Sequence, residues 1–140
     1  MKPAVKYINF SLPILLIRFM VGLVFLSEGI QKFISPEIRG VGRFIKIGIP
    51  YPEFFGYFVP TFEVMCGILV IIGLYTRSAA ILLIIIMITA IGSTKIPMLF
   101  DEGFWHMAHA ARTDWSMLLG SIFLLITGAG KTSLDYLRTK

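Results

Sequence analysis

SLPILLIRFMVGLVFLSEGIQKFI, residues 11–34, is the stretch that decides the fold. Roughly 20 mostly apolar residues, rising about 1.5 Å each, cross the ~30 Å hydrocarbon core of a bilayer. This stretch is long enough, and its charges are Arg18, Glu28 and Lys32. Three more candidate spans follow. One covers about residues 54–75, with Glu63 as its charge, and the next about 78–96, with Ser78–Thr94 uncharged. The last covers about 104–129, around an uncharged core from Trp115 to Thr127. The spacing predicts an all-α integral membrane protein, an antiparallel four-transmembrane-helix bundle in one domain over residues 1–140.

Composition agrees. The chain has 140 residues, 56% hydrophobic and 15% charged, with mean hydropathy +0.83. A soluble domain of this size needs more polar surface, so soluble, disordered and collagen-like classes are excluded. A single cysteine excludes a disulfide scaffold and a Cys-x-x-Cys pair. The net charge of +5 on so greasy a chain points to anionic lipid headgroups and not to nucleic acid. Lys2 and Lys6 precede an apolar run, as in a signal peptide. Arg18 interrupts that run and no small-x-small cleavage site follows, so the first helix is read as retained.

The connections are mostly short. Leu74-Tyr75-Thr76-Arg77 turns spans two and three, and Pro97 is read as ending span three. Ser35-Pro36-Glu37 resembles a helix start, and Ile38, Val41 and Ile45 then share one face. A short interfacial helix over about 36–46 is expected between spans one and two, closed by Gly48-Ile49-Pro50-Tyr51-Pro52. Gly128-Ala129-Gly130 stops span four. Thr132-x-x-Asp135 is read as the cap of a tail helix over about 133–139.

Four spans put both termini on one side. That side carries Lys2, Lys6, Arg77, Lys131, Arg138 and Lys140. The other carries Arg39, Arg43, Lys46, Lys95 and Arg112. Six basic residues against five favour cytoplasmic termini in the inner membrane of the cell. Tyr7, Tyr75 and Tyr136 mark one boundary; Tyr51, Phe54, Phe55, Trp105 and Trp115 mark the other.

Charges inside the hydrocarbon are the informative feature, because each costs at least ~2.5–3.5 kcal/mol to place there. Arg18, Gly22, Phe25, Gly29 and Lys32 form one stripe, with Glu28 beside it. Gly56, Pro60, Glu63 and Gly67 form a second, and His106, His109, Thr113, Ser116 and Gly120 a third. Depth along the spans leads to two expected clusters: Arg18 with Glu63, and Glu28, Lys32 and the histidines near the far boundary. Each has a plain reading, a register-setting ion pair for the first and a snorkelling lysine paired with Glu28 for the second. Each also has a functional one, a ligand or proton site. Span three is assigned a structural role.

Glu102, His106 and His109 share a stripe, but lack the order or thiolates of a metal site, and no metal is assigned. His106 and His109 are read as solvated interfacial groups or as a pair bonding a ligand or loop carbonyls. Cys66 is read as a small buried hydrophobe.

Taken together, Arg18-x-x-x-Gly22-x-x-Phe25-Leu26, Gly29-x-x-Lys32, Gly48-Ile49-Pro50-x-Pro52, Glu63-x-x-x-Gly67, Gly73-Leu74-x-Thr76-Arg77-x-Ala79-Ala80 and Gly128-Ala129-Gly130-x-x-Ser133-x-Asp135 resemble the DoxX family of small four-helix membrane proteins. The resemblance spans about Leu16 to Leu137. It implies kinship with the DoxD subunit of thiosulfate:quinone oxidoreductase, with components of oxidative-stress complexes and with membrane assembly factors. It points to Arg18, Glu28, Lys32 and Glu63. The chain departs from the family pattern at Ser27-Glu28, where a histidine or aromatic residue is implied.

The resulting expectation is a membrane subunit of a quinone-linked redox system, with a pocket among spans one, two and four. Glu28 and Lys32 are the candidate catalytic residues; His106, His109, Arg18 and Glu63 are the candidate ligand-binding residues. There is no intrinsic cofactor, and quinone is the candidate ligand. Expected partners are membrane lipid and either a redox protein or further copies of the chain. The alternatives are a non-enzymatic scaffold or assembly factor and a carrier of small molecules or protons.

Overall fold

The computed structural model describes residues 11–140, and all regular structure among them is helical. Lys2, Lys6 and Tyr7, counted above toward orientation, lie outside the described residues. Four helices come first: α1 (Ser11–Ile34), α2 (Val41–Lys46), α3 (Pro52–Ile72) and α4 (Thr76–Ala90). A π-turn (Ile91–Lys95) leads into α5 (Ile96–Glu102), α6 (Phe104–Ala110), α7 (Arg112–Thr127) and α8 (Leu134–Arg138). Three helical runs, Ser11–Ile34, Pro52–Ile72 and Thr76–Glu102, are long and apolar enough to cross a membrane.

The burial pattern departs from that of a water-soluble protein on the outside, where large aliphatics are exposed. Leu12, Leu16, Leu23, Ile30, Ile68, Ile85 and Ile88 are exposed, whereas Arg18, Glu63, Thr76 and Ser121 are buried. In lipid the outward aliphatics face acyl chains, and polar groups must find partners inside. The apolar core runs through Val21, Phe25, Cys66, Val70, Leu83, Met117 and Leu124.

Glycines set the closest helix contact. α1 packs on α3, and a Cβ on Gly67 would stand 2.9 Å from both the Gly22 carbonyl oxygen and the Leu26 amide nitrogen. A Cβ on Gly29 would stand 2.9 Å from the Pro60 carbonyl oxygen. The contacts therefore run 22 with 67 and 29 with 60, so α3 descends as α1 climbs. Because the obstructing atoms at Gly67 are backbone, Gly67→Ala must push the helices apart. It is expected to destabilise the protein by about 1–3 kcal/mol, read as thermal unfolding in detergent followed by circular dichroism. Gly92→Ala, where a Cβ meets nothing within 4 Å, should stay within about 0.5 kcal/mol of the parent.

Several boundaries differ from the sequence expectation. Pro97 does not end the third span. It lies in the first turn of α5, and the helical run continues to Glu102. Proline lacks an N–H and its ring clashes with the carbonyl four residues back; the wide π-turn just before it makes room. The expected fourth span is divided at Ala111 into α6 and α7, and α7 has 16 residues. Residues 36–39 form a turn, so the helix expected over 36–46 starts only at Val41. Its buried residue is Phe44, whereas Ile38 and Ile45 are exposed.

The tail helix is capped by Ser133, not Thr132: the Ser133 hydroxyl accepts from the Tyr136 N–H at 3.2 Å. Asp135 serves another helix. Its carboxylate accepts from the Tyr75 N–H at 2.8 Å and from the Thr76 N–H at 3.0 Å. Both are orphan donors at the start of α4, which have no partner within their own helix.

Candidate ligand cavity

A cavity of about 670 Å³ lies beneath α2, bounded by α1, α3, α4, the π-turn and α7. Apolar side chains form much of its wall, among them Val24, Phe25, Phe55, Phe58, Val59, Ile85 and Met117. The ionisable groups that line it are Glu28, Lys32, Arg39, Arg43, Glu63, Lys95 and Asp114. That volume lies within the roughly 300–1,000 Å³ range of ligand sites, most of which share this mixture of apolar wall and sparse polar groups.

At the deep end Lys32 is paired with Glu63. The ammonium donates to both carboxylate oxygens, at 2.7 and 2.9 Å, and the side chains are 14% and 6% exposed. Helical side chains lean toward the N-terminus of their own helix. With α1 and α3 running oppositely at this contact, Lys32 leans back along α1 and Glu63 leans back along α3, so the two converge. Glu28, one turn before Lys32, is half-buried and has no hydrogen-bond or ion-pair partner among the described residues.

A second pair closes the wall between the π-turn and α7, where Lys95 Nζ lies 3.2 Å from an Asp114 carboxylate oxygen. The π-turn hydroxyls point back along their own helix. Ser93 donates to the Thr89 carbonyl at 2.7 Å and Thr94 to the Ala90 carbonyl at 2.6 Å.

Arg18 is elsewhere, and the expected Arg18–Glu63 cluster does not form. Its guanidinium donates to four carbonyls: Val70 at 3.0 Å, Ile71 at 2.6 Å, Ala129 at 3.2 Å and Thr132 at 2.8 Å. It leans toward the N-terminus of α1, away from Glu63 and onto the last turn of α3. The planar fork with five donors suits several acceptors at once. Arg18 joins the end of α3 to the segment after α7 and does not line the cavity.

The histidines are also outside the cavity. His106 and His109 are exposed on α6. His106 Nε2 lies 2.6 Å from a Glu102 carboxylate oxygen, across the break at Gly103. The expected grouping of Glu28, Lys32 and the histidines is replaced by Glu28, Lys32 and Glu63. The third span, expected to be structural, contributes Ile85, Thr89, Ser93 and Lys95 to the cavity.

The DoxX family model matches residues 13–96, a segment holding the Lys32–Glu63 pair, the α2 connection and the π-turn. The chain belongs to the DoxX family. It is similar to the uncharacterized membrane protein Rv3486 of Mycobacterium tuberculosis, 56% identical over 87% of this chain and 78% of that one. It is also similar to a Bacillus subtilis protein named "Putative oxidoreductase CatD", 34% identical over 91% of this chain and 87% of that one. No solved structure matches. Together with the three apolar runs, these likenesses make the chain a multi-pass membrane protein.

Within this DoxX chain, sequence reasoning missed four cavity residues. Arg39, Arg43 and Lys95 entered only as charges for orientation, and Asp114 was not singled out. No local spacing announces that α2 folds over the cavity, or that a π-turn carries Lys95 toward α7. The three hydroxyl residues from Thr89 to Thr94, in an otherwise aliphatic span, were the available signal.

Proposed function

We propose that this protein is the membrane subunit of a quinone-linked redox system in the cytoplasmic membrane. In this reading α7 completes an antiparallel four-helix bundle with both termini in the cytoplasm. The helix has 16 residues. At roughly 1.5 Å per residue it reaches only about 24 Å, so it crosses with local thinning or with help from α6.

The observation that carries the reading is the Lys32–Glu63 pair, buried against an apolar cavity with the unpartnered Glu28 one turn away. Burying an ion pair brings little or no net stability compared with apolar residues of the same volume. Its location on a cavity wall is what a ligand site requires. When bound, a quinone supplies a two-electron, two-proton redox couple. Lys32 donates a hydrogen bond to a ring oxygen of the ligand, Glu63 holds Lys32 in place, and Glu28, one turn before Lys32 on the cavity wall, exchanges protons with the ligand. The aromatic wall takes the ring and the tail. The chain supplies no electron carrier of its own, so electrons come from a partner protein or from a reductant bound alongside. The relative named as an oxidoreductase supports the redox class.

The test is chemical extraction of the protein purified from its native membrane, followed by quinone assay. Quinone is expected to co-purify with it. Glu28→Gln is expected to retain quinone while lowering quinone-dependent turnover of the membrane complex by about 10²-fold. Protein free of quinone, with turnover unchanged in Glu28→Gln, overturns the reading.

A further inference from the structure

The mouth of the cavity carries an unexplained charge. Two of its cations are already engaged inside, Lys32 with Glu63 and Lys95 with Asp114. Arg39, in the turn before α2, and Arg43, on α2, remain. Both line the cavity, both are exposed, and neither guanidinium has a hydrogen-bond or ion-pair partner among the described residues. With the internal pairs cancelled, the lining keeps two guanidinium groups against the single carboxylate of Glu28. A neutral quinone makes no use of that excess.

An exposed arginine on a membrane-surface helix ordinarily attracts headgroups in general. These two differ because an apolar cavity opens directly beneath them, with Phe55 and Phe58 on its wall. A guanidinium fork matches a carboxylate or phosphate oxygen pair geometrically. Apolar walls below a cationic rim fit a molecule with an anionic head and a hydrocarbon body. We infer that the rim formed by Arg39 and Arg43 is a headgroup site for an anionic amphiphile whose apolar part enters the cavity. The inference rests on the cavity being a ligand site, as in the preceding reading, but not on quinone. The rim and the Lys32–Glu63 end are separate places. The anionic group is a carboxylate or a phosphodiester, the first from a free fatty acid and the second from a membrane phospholipid.

The test uses the whole chain, stripped of native quinone, in bilayers of phosphatidylcholine. Spin-labelled stearate is compared with its methyl ester, and spin-labelled phosphatidylglycerol with phosphatidylcholine, by the immobilised fraction in electron spin resonance. The expected result is preference for the anionic probe in at least one comparison, lowered about tenfold by the double substitution Arg39→Gln and Arg43→Gln. Preference for stearate alone assigns the site to free acids. Preference for phosphatidylglycerol alone assigns it to membrane lipid, and preference for both assigns it to the anionic group on either body. Lys46→Gln, which removes an exposed α2 cation that does not line the cavity, should leave the preference intact. No anionic preference, a preference indifferent to the arginines, or an equal loss in Lys46→Gln overturns the inference. Because the protein carries no quinone here, failure of the redox reading leaves this result unaffected.

Discussion

An Arg18→Leu protein is expected to lose about 3–5 kcal/mol of stability, the usual result of removing one partner from a buried charged network. Four carbonyls, on Val70, Ile71, Ala129 and Thr132, accept from this single guanidinium. The Val70 carbonyl keeps the Gly73 N–H at 3.2 Å, but each of the other carbonyls, if left buried and unpaired, costs roughly 1–3 kcal/mol. Gly73 adds to the constraint. A Cβ there would stand 2.5 Å from Ser133 Cβ and 2.7 Å from Arg18 Nη2, so the C-cap of α3 has room for neither a side chain nor a shift of the guanidinium. Arg18→Lys should recover only part of the loss, because an ammonium is a point donor that cannot span two chain segments. Thermal unfolding in detergent gives the magnitude, and limited proteolysis gives the location. Cleavage at Lys131 should become much faster in Arg18→Leu. A variant that unfolds within about 0.5 kcal/mol of the parent, with Lys131 still protected, sinks the claim.

The second large effect concerns Lys32 and Glu63. Lys32→Met or Glu63→Leu alone strands a charge that is nearly buried, and each is expected to destabilise by about 3–5 kcal/mol. The double variant removes both charges and keeps the volume. It should regain most of that loss, with a coupling energy on the order of 2–3 kcal/mol in a double-mutant cycle. Binding should behave differently. The refolded double variant should still fail to hold a short-chain quinone, measured by equilibrium dialysis against the parent protein. Stability and binding thus part company in one protein. If the double variant keeps both, the pair is a register device and nothing more.

Residue patterns along the chain made much of this architecture legible. The apolar run of residues 11–34 is α1, and the stripe of Gly22 and Gly29 is the face that meets α3. What failed was pairing by depth alone. Glu63 and Arg18 stand at similar heights when each helix is treated as a ruler. Side chains lean, however, and in oppositely directed helices they lean apart or together according to position. Contacts of 22 with 67 and 29 with 60 put residue 71 opposite residue 18 and residue 63 within one lean of Lys32. That register brings Arg18 to the Ile71 carbonyl opposite it, and the lean of the side chains brings Lys32 to Glu63. Asp135 was legible as a capping residue but not as the cap of a distant helix, because that depends on where the chain returns after Gly130. Pro97 misled for a different reason. Its local effect is real, and one widened turn upstream absorbs it.

The guanidinium of residue 18 also has a history. As the ribosome delivers this chain, that charge enters the bilayer before any of its four acceptors exist. Two arrive 52 and 53 positions later, and the others at 111 and 114. Until then the insertion machinery or the lipid phosphates must shield it. Assembly of the whole molecule can finish only after translation has passed residue 132, and a premature stop before that point hands quality-control proteases a half-solvated cation inside the membrane.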